Sequence, residues 1–81
     1  MKQFREFQEK DDGTVPIKAE LTLTAHALSQ REQKEVLEEL QTLKVHITRI
    51  EADAVSAGIT ADYTEVYAVM GELEKKGWVW E

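Results

Sequence analysis

The most regular pattern of apolar and polar side chains in this sequence lies between residues 17 and 25. The apolar positions are Ile17, Ala19, Leu21, Leu23 and Ala25, and the polar positions between them are Lys18, Glu20, Thr22 and Thr24. Alternation with a period of two is typical of a strand that has one buried and one solvent-facing side. We therefore predict a strand over residues 17–25 and expect the rest of the fold to pack on it.

The residues before this strand predict a β-hairpin. Phe4 and Phe7 have a spacing that would place them on one face of a helix, and the first ten residues also suit a helix by composition. The segment Asp11-Asp12-Gly13-Thr14 has turn chemistry and directly precedes the alternating strand, which favours a hairpin instead. Pro16 is then expected at a strand start or edge, and a first strand is predicted over about 3–9.

After Ala25 the pattern changes to that of a helix. Ser29-Gln30-Arg31-Glu32 has the form of a capping box, in which the Ser and Glu side chains satisfy free N–H groups at a helix start. The apolar stripe that follows consists of Val36, Leu37, Leu40 and Leu43. This spacing predicts an amphipathic helix whose stripe belongs to the core.

Residues 44–50 allow two interpretations. They are rich in β-branched side chains, which favour a strand, whereas a four-three spacing of apolar positions continues through them and fits one long helix over 29–57. We favour the strand. With it, residues 17–50 are expected to form a right-handed strand, helix, strand crossover with two parallel strands.

A connection and a second helix are predicted next. Residues 54–59 read as a connection in which Gly58 can take a positive φ. Thr60 or Asp62 can cap a following helix, and Asp62 and Glu65 have the capping-box spacing. A helix over about 61–76 would present the apolar stripe Tyr63, Val66, Tyr67, Met70 and Leu73. Gly71 inside this helix indicates a close approach to a neighbouring element, and Gly77 is expected to end the helix.

The chain closes with Trp78-Val79-Trp80, which predicts a short strand with both tryptophans on one side. Together these elements predict an α+β fold, a small two-layer domain of order β-β-α-β-α-β with the helices on one face of a mixed sheet. With 81 residues, of which 42% are apolar, the chain is expected to form a single domain over 1–81.

Composition limits where the protein is expected to work. No apolar run approaches the roughly 20 residues that span a bilayer, and the first residues lack the apolar core of a signal peptide. The sequence has no cysteine, which agrees with a reducing compartment. We therefore expect a cytoplasmic protein with no membrane association.

The charge of the chain is unevenly distributed. The net charge is -6, and between Arg49 and Lys75 there is no basic residue. The acidic residues in that interval are Glu51, Asp53, Asp62, Glu65, Glu72 and Glu74. Such a surface would repel nucleic acid and attract a basic protein, or it serves only as a solvated face that keeps the protein soluble.

No residue pattern predicts catalysis or a cofactor. His26 and His46 with Glu51 or Asp53 would suit a metal by residue type, but the predicted topology places the two histidines at opposite ends of the sheet. Ser29 is explained as a helix cap, and the glycines are too scattered for a phosphate-binding loop. We therefore expect no enzyme activity, no metal and no cofactor.

The aromatic residues predict a protein-binding function. Tyr and Trp are frequent interface anchors, and an exposed Tyr and Trp beside the acidic side chains would suit a basic partner. The predicted partner-binding residues are Glu51, Asp53, Asp62, Glu65, Glu72, Trp78 and Trp80. The function expected from them is that of an inhibitor or adaptor, such as a phage or mobile-element accessory protein or DNA mimic. A strand ending in Trp80 could also pair with its symmetry mate in a homodimer.

A second function is implied by a local resemblance. The segment VYAVMGELEKKGWV, residues 66–79, resembles the recognition helix and first wing strand of winged-helix DNA-binding proteins, and Ala57-Gly58-Ile59-Thr60 is similar to the turn before that helix. The resemblance implies a winged-helix-like, DNA-binding transcriptional regulator as the alternative to a protein-binding module.

Overall fold

The structure is a computed structural model, and it describes residues 1–13 and 15–80. Its elements are β1 (Lys2–Lys10), β2 (Lys18–Ala25), α1 (Gln30–Thr42), β3 (His46–Ile50), β4 (Val55–Asp62), α2 (Tyr63–Lys75) and β5 (Val79–Trp80). The strands form one mixed sheet in the order β3-β4-β2-β1-β5. The predicted α+β class is confirmed. Within the described ranges, neither helix is long and apolar enough to cross a membrane.

The predicted β-hairpin is confirmed, and a bulge explains its phenylalanines. β1 pairs antiparallel with β2, and the register shifts between Phe4 and Glu6. Without this shift, Phe4 and Phe7 would point to opposite sides of the sheet, because their spacing is odd. With it, they lie opposite Leu23 and Leu21, on the buried side. Thr14 of the predicted turn lies outside the described residues.

The predicted element order is wrong at one place, because residues 54–59 are not a connection. They belong largely to β4, which pairs antiparallel with both β2 and β3. Gly58 lies within this strand, opposite Thr22 and His46, and does not have a positive φ. Alanine, serine and glycine favour strands weakly, but hydrogen bonding to a strand on each side overrides that preference. The observed order is therefore β-β-α-β-β-α-β.

The strand interpretation of the segment after α1 is confirmed, and the long helix is wrong. α1 ends at Thr42, and Lys44 has a φ of 61°, a left-handed conformation that cannot continue a right-handed helix. β3 then runs in the same direction as β2, because β4 lies between them and is antiparallel to both. The expected crossover from β2 through α1 to β3 is thus present, with β4 inserted between its two strands.

The predicted capping box is present at the start of α1. The Ser29 N–H donates to Glu32 Oε1 at 3.2 Å, and the Glu32 N–H donates to Ser29 Oγ at 3.2 Å. The hydrogen bond from the Ser29 N–H, together with the Ser29 hydroxyl, lowers the pKa of Glu32 below its ordinary value of 4.5, because it favours the charged carboxylate.

This capping box predicts a pH-dependent stability. A pKa that is lower in the folded state means that the unfolded chain takes up the proton first, so the stabilisation is present above about pH 4.5 and is lost as the pH falls through the folded pKa. We expect Glu32→Gln to destabilise the protein at about pH 7 and to have a much smaller effect at about pH 3. Urea unfolding at both pH values checks this, and an equal effect at both would contradict the assignment.

The start of α2 differs from the prediction. Asp62 occupies the N-cap position but makes no side-chain cap hydrogen bond, so the predicted capping box with Glu65 is wrong. The helix is instead held by the chain before β2, because the Tyr63 N–H donates to the carbonyl of Ile17 at 2.9 Å. At the other end, Gly77 ends α2 as predicted, with a φ of 96° and its N–H donating to the carbonyl of Glu74.

Gly71 does not mark a close approach to another element, contrary to the prediction. It is exposed, and a Cβ added there would meet nothing within 4 Å. Because glycine disfavours a helix interior, Gly71→Ala should raise the free energy of unfolding by about 0.5–1 kcal/mol. Gly77→Ala is the matched control and should destabilise, since its positive φ disfavours any side chain. Thermal unfolding of the two variants checks both signs.

One core lies between the sheet and the two helices. The buried residues of β2 and β4 are Ala19, Leu21, Leu23, Ala25, Val55, Ala57 and Ile59, and those of the helices are Val36, Leu40, Val66, Val69, Met70 and Leu73. They form a single cluster with Phe4 and Trp78. Both helices therefore cover one face of the sheet, as predicted, and the other face is open.

A polar network fastens the chain ends over this core. Glu39 of α1 accepts a hydrogen bond from Trp78 Nε1 at 3.3 Å, and its Oε1 lies 3.5 Å from Lys2 Nζ. Lys2 also donates to the carbonyl of Lys76 at the end of α2. The start of β1, the middle of α1 and the exit of α2 are thereby held together.

Candidate protein-binding surface

Four partly or largely exposed aromatic side chains follow the outer side of β1, on the face of the sheet that carries the helices. Tyr63, Tyr67 and Trp80 are 38%, 49% and 46% exposed, and Phe7 is half-buried. The rings of Phe7 and Tyr67 are 5.0 Å apart, and those of Tyr63 and Tyr67 are 6.4 Å apart in an edge-to-face arrangement. Trp80 packs at 5.1 Å on Phe4. We name Phe7, Tyr63, Tyr67 and Trp80 the aromatic border.

The position of the two tyrosines follows from the helical period of α2. The buried stripe of this helix consists of Val66, Val69, Met70 and Leu73. Tyr63 and Tyr67, four residues apart, lie at the margin of that stripe, on the side where α2 passes Phe7. The predicted apolar stripe included both tyrosines, and they extend over the edge of the sheet and stay accessible to solvent.

Two carboxylates accompany the aromatic border. Tyr67 Oη donates to Glu9 Oε1 at 3.4 Å, and Glu9 lies on the same side of β1 as Phe7 because Phe7 pairs with Leu21 and Glu9 pairs with Ala19. Glu74 follows Tyr67 by two helical turns and lies on the same side of α2. Both carboxylates are exposed, so an acidic rim flanks an apolar strip.

The carboxylates predicted on α2 are not part of this rim. Glu65 and Glu72 are seven residues apart and share a side of α2, which lies about 160° around the helix axis from Tyr67. Glu72 faces α1, where it lines a cleft of about 470 Å³. A helical projection of the sequence places Glu74 with Tyr67 and sets Glu65 apart. This is the sequence signal that could have separated the aromatic side of α2 from its other acidic side.

The remaining predicted carboxylates are also dispersed. Glu51 and Asp53 lie in the turn between β3 and β4, where Glu51 pairs with Arg49 at 2.8 Å. Asp62 lies at the other end of β4, about 23 Å away along an eight-residue strand. The acidic residues that are close in sequence therefore occupy separate parts of the surface and do not form one site.

The two predicted tryptophans have different environments. Trp78 is 1% exposed and packs against Phe4 in the core, so it has no surface to offer a partner. Trp80 is nearly half exposed and lies next to Phe4 on the outermost strand. Of the predicted partner-binding residues, Trp80 is the one that the structure places in the aromatic border.

Other depressions also lie on the described surface. The cleft between α1 and α2 is lined by Glu35, Glu38, Glu39, Thr42, Leu43, Glu72 and Lys76, and its Glu39 is engaged by Lys2 and Trp78. A groove on the open face of the sheet is lined by Glu20, Thr22, Lys44, His46, Thr48, Gly58, Ile59 and Thr60. Neither depression contains an exposed aromatic anchor.

No described group of three or more ligating side chains is placed to hold a metal ion. His46 lies level with Thr22 across β4, and His26 follows the end of β2. The two histidines are therefore separated by a strand and by several residues along the sheet.

Comparison with protein-family models, with curated proteins and with solved structures gives no match to this chain. Its function is therefore inferred from the arrangement of its own side chains.

Proposed function

We propose that this chain is a small, non-catalytic binding module that acts as an inhibitor or adaptor by occupying a basic surface of a partner protein. The observation that supports this most is the aromatic border with Glu9 and Glu74 beside it. Large aromatic side chains at a surface lose little conformational entropy when they are covered and contribute much of the binding energy at interfaces. The exposure of these aromatic side chains, in a chain with a single small core, is therefore the feature that favours a protein-binding function.

The charge of the border selects the kind of partner. The residues from Arg5 to Asp12 contain four carboxylates and two basic side chains, Arg5 and Lys10, and Lys10 is paired with Glu20 at 2.9 Å. An apolar strip flanked by carboxylates complements a surface in which apolar groups are flanked by Lys and Arg. The net charge of -6 would also speed the encounter with such a surface.

The two carboxylates with a lowered pKa, Glu20 and Glu32, are explained by local structural contacts. Lys10 lowers the pKa of Glu20 through a hydrogen bond and its charge, and Ser29 lowers the pKa of Glu32 at the helix cap. Both contacts, Lys10 with Glu20 and Ser29 with Glu32, stabilise local structure. Catalytic groups are typically shifted by burial in a cleft, whereas both of these carboxylates titrate in contact with solvent.

We do not extend the proposal to DNA binding. Ala57–Thr60, similar in sequence to the turn before a recognition helix, lie within β4. α2 presents Glu65, Glu72 and Glu74 to solvent, with Lys75 as its basic residue. Phosphate contacts require Lys, Arg or neutral donors, and no observation in this structure favours a duplex ligand.

Affinity capture with matched charge variants tests the proposal. The baits are the wild-type chain, a border variant with Glu9→Lys and Glu74→Lys, and a control variant with Glu65→Lys and Glu72→Lys. The two variants change the net charge equally. We expect a basic protein from the lysate of the source organism to bind the wild type and the control and to be lost from the border variant. Equal capture by all three baits, or capture by none, would contradict the proposal.

A further inference from the structure

β1 has an outer edge that is largely unpaired. It is nine residues long, whereas β5 has two residues and pairs only with Gln3 and Phe4. From Glu6 to Lys10, β1 keeps a regular antiparallel register with β2 on its inner side. On its outer side, no strand of the described residues pairs with this stretch. About half of the backbone N–H and C=O groups of Glu6–Lys10 therefore face outward, as in strands that accept an additional strand.

The second edge of the sheet is less suited to a basic strand. β3 has five residues, and its register is broken by a shift between Ile47 and Arg49, which disturbs regular pairing. Lys44 and Arg49 also place basic side chains along this side. The stretch 6–12, along and just beyond the edge of β1, is net acidic, and this edge is bordered by Phe7 and Tyr67.

We propose that an extended, basic segment of the partner binds as an additional strand along Glu6–Lys10. This inference rests on the proposed function and specifies how the aromatic border is used. Alternate side chains of an added strand point toward the helix-bearing face, where Phe7, Tyr63 and Tyr67 would receive its apolar residues. The side chains between them would point to the open face, where Lys or Arg would meet Glu6.

The charge distribution favours such a segment over a second copy of this chain. Pairing two β1 edges around a two-fold axis would bring two acidic chains together. Each copy also carries a net charge of -6, so the approach of two copies is opposed by repulsion. A Lys- or Arg-rich strand replaces this repulsion by attraction.

Peptide selection followed by backbone methylation tests the proposal. Random peptides of about ten residues, the upper length of common strands, are selected on the immobilised full chain. The best binder is then made in two forms, with N-methyl groups on alternate amides in one frame or in the other. In an added strand, only one frame donates hydrogen bonds to the edge. We therefore expect one form to lose at least about tenfold in affinity and the other to bind nearly as before. In the complex with the unmethylated peptide, alternate backbone amides within Glu6–Lys10 should exchange hydrogen for deuterium more slowly.

The outcomes separate this inference from the proposed function. If Tyr67→Ala weakens peptide binding but both methylated forms bind equally, the aromatic border stands and strand addition is overturned. If the selected peptides are not basic, or bind Tyr67→Ala as tightly as wild type, the proposed function itself is overturned. Sedimentation equilibrium that shows a dimer competing with the peptide would replace the basic segment by a second copy and overturn the proposed occupant.

Discussion

Replacing Trp78 by alanine should lower the free energy of unfolding by about 3–5 kcal/mol, the usual effect of removing a large buried aromatic side chain. Trp78 is 1% exposed, contacts the ring of Phe4 and donates to Glu39. At about 0.05–0.15 kcal/mol per residue, a chain of 81 residues has roughly 4–12 kcal/mol in total. The variant should therefore lose a large share of its stability, or unfold.

Trp80→Ala is the matched control for this prediction. Trp80 is 46% exposed and has one ring contact, with Phe4, so we expect a loss of at most about 2 kcal/mol. Trp78→Phe, which keeps a ring but removes the N–H, should fall between the two and remain measurable if Trp78→Ala does not fold. Urea unfolding followed by circular dichroism gives all three values. Equal losses for Trp78→Ala and Trp80→Ala would contradict the described core.

Tyr67→Ala should weaken partner binding by at least about 30-fold, the factor that corresponds to the 2 kcal/mol typical of an interface hot spot. Tyr67 is the central ring of the aromatic border, with Phe7 on one side and Tyr63 on the other. Because Tyr67 is 49% exposed, the change should affect stability much less than Trp78→Ala. Titration calorimetry with the captured partner measures the affinity.

Two further sets of substitutions separate the contribution of the Tyr67 ring to the affinity for the partner from that of the flanking carboxylates. Tyr67→Phe keeps the ring and removes the hydroxyl that donates to Glu9, so it should retain most of the affinity. Glu74→Lys should weaken binding, and Glu72→Lys on the other side of the same helix should not. The effect of Glu74→Lys should also shrink as salt rises from about 50 mM to about 300 mM. If Glu72→Lys has the larger effect, the binding surface lies in the cleft between the helices.

The parts of the fold that could be predicted from the sequence are those with strong local signals. The alternation of β2, the capping box at Ser29 and Glu32, and the apolar stripe of α1 depend on near neighbours in the chain. Gly77 likewise ends α2 through its own backbone preference. These features are found where they were predicted.

β4 could not be predicted in the same way. Its residues, Val-Ser-Ala-Gly-Ile-Thr-Ala-Asp, include several small side chains with weak strand preference. They form a strand because β2 and β3 provide hydrogen-bonding partners on both sides, which are distant in sequence. The bulge in β1 is also hidden from local patterns, since it follows from packing Phe4 and Phe7 on one face.

The position of the candidate surface depends on contacts between residues that are distant in sequence. Sequence proximity grouped Asp62, Glu65 and Glu72 with the aromatic residues, whereas the helical period separates Glu65 and Glu72 from Tyr67. Phe7 and Glu9 come from the far end of the chain, and only the sheet order brings them beside α2. The aromatic residues Tyr63, Tyr67 and Trp80 could thus be picked out from the sequence, whereas Phe7, Glu9 and Glu74 could not.

A site-specific crosslink tests most directly whether the aromatic border is the binding surface. A photoreactive benzoylphenylalanine replaces Tyr63 in one bait and Thr60, an exposed residue of β4, in another, and each bait is irradiated in the presence of the captured partner. We expect a crosslinked product, with the attachment point in a basic segment of the partner, from position 63 and none from position 60. A crosslink from position 60 and none from position 63 would contradict the assignment.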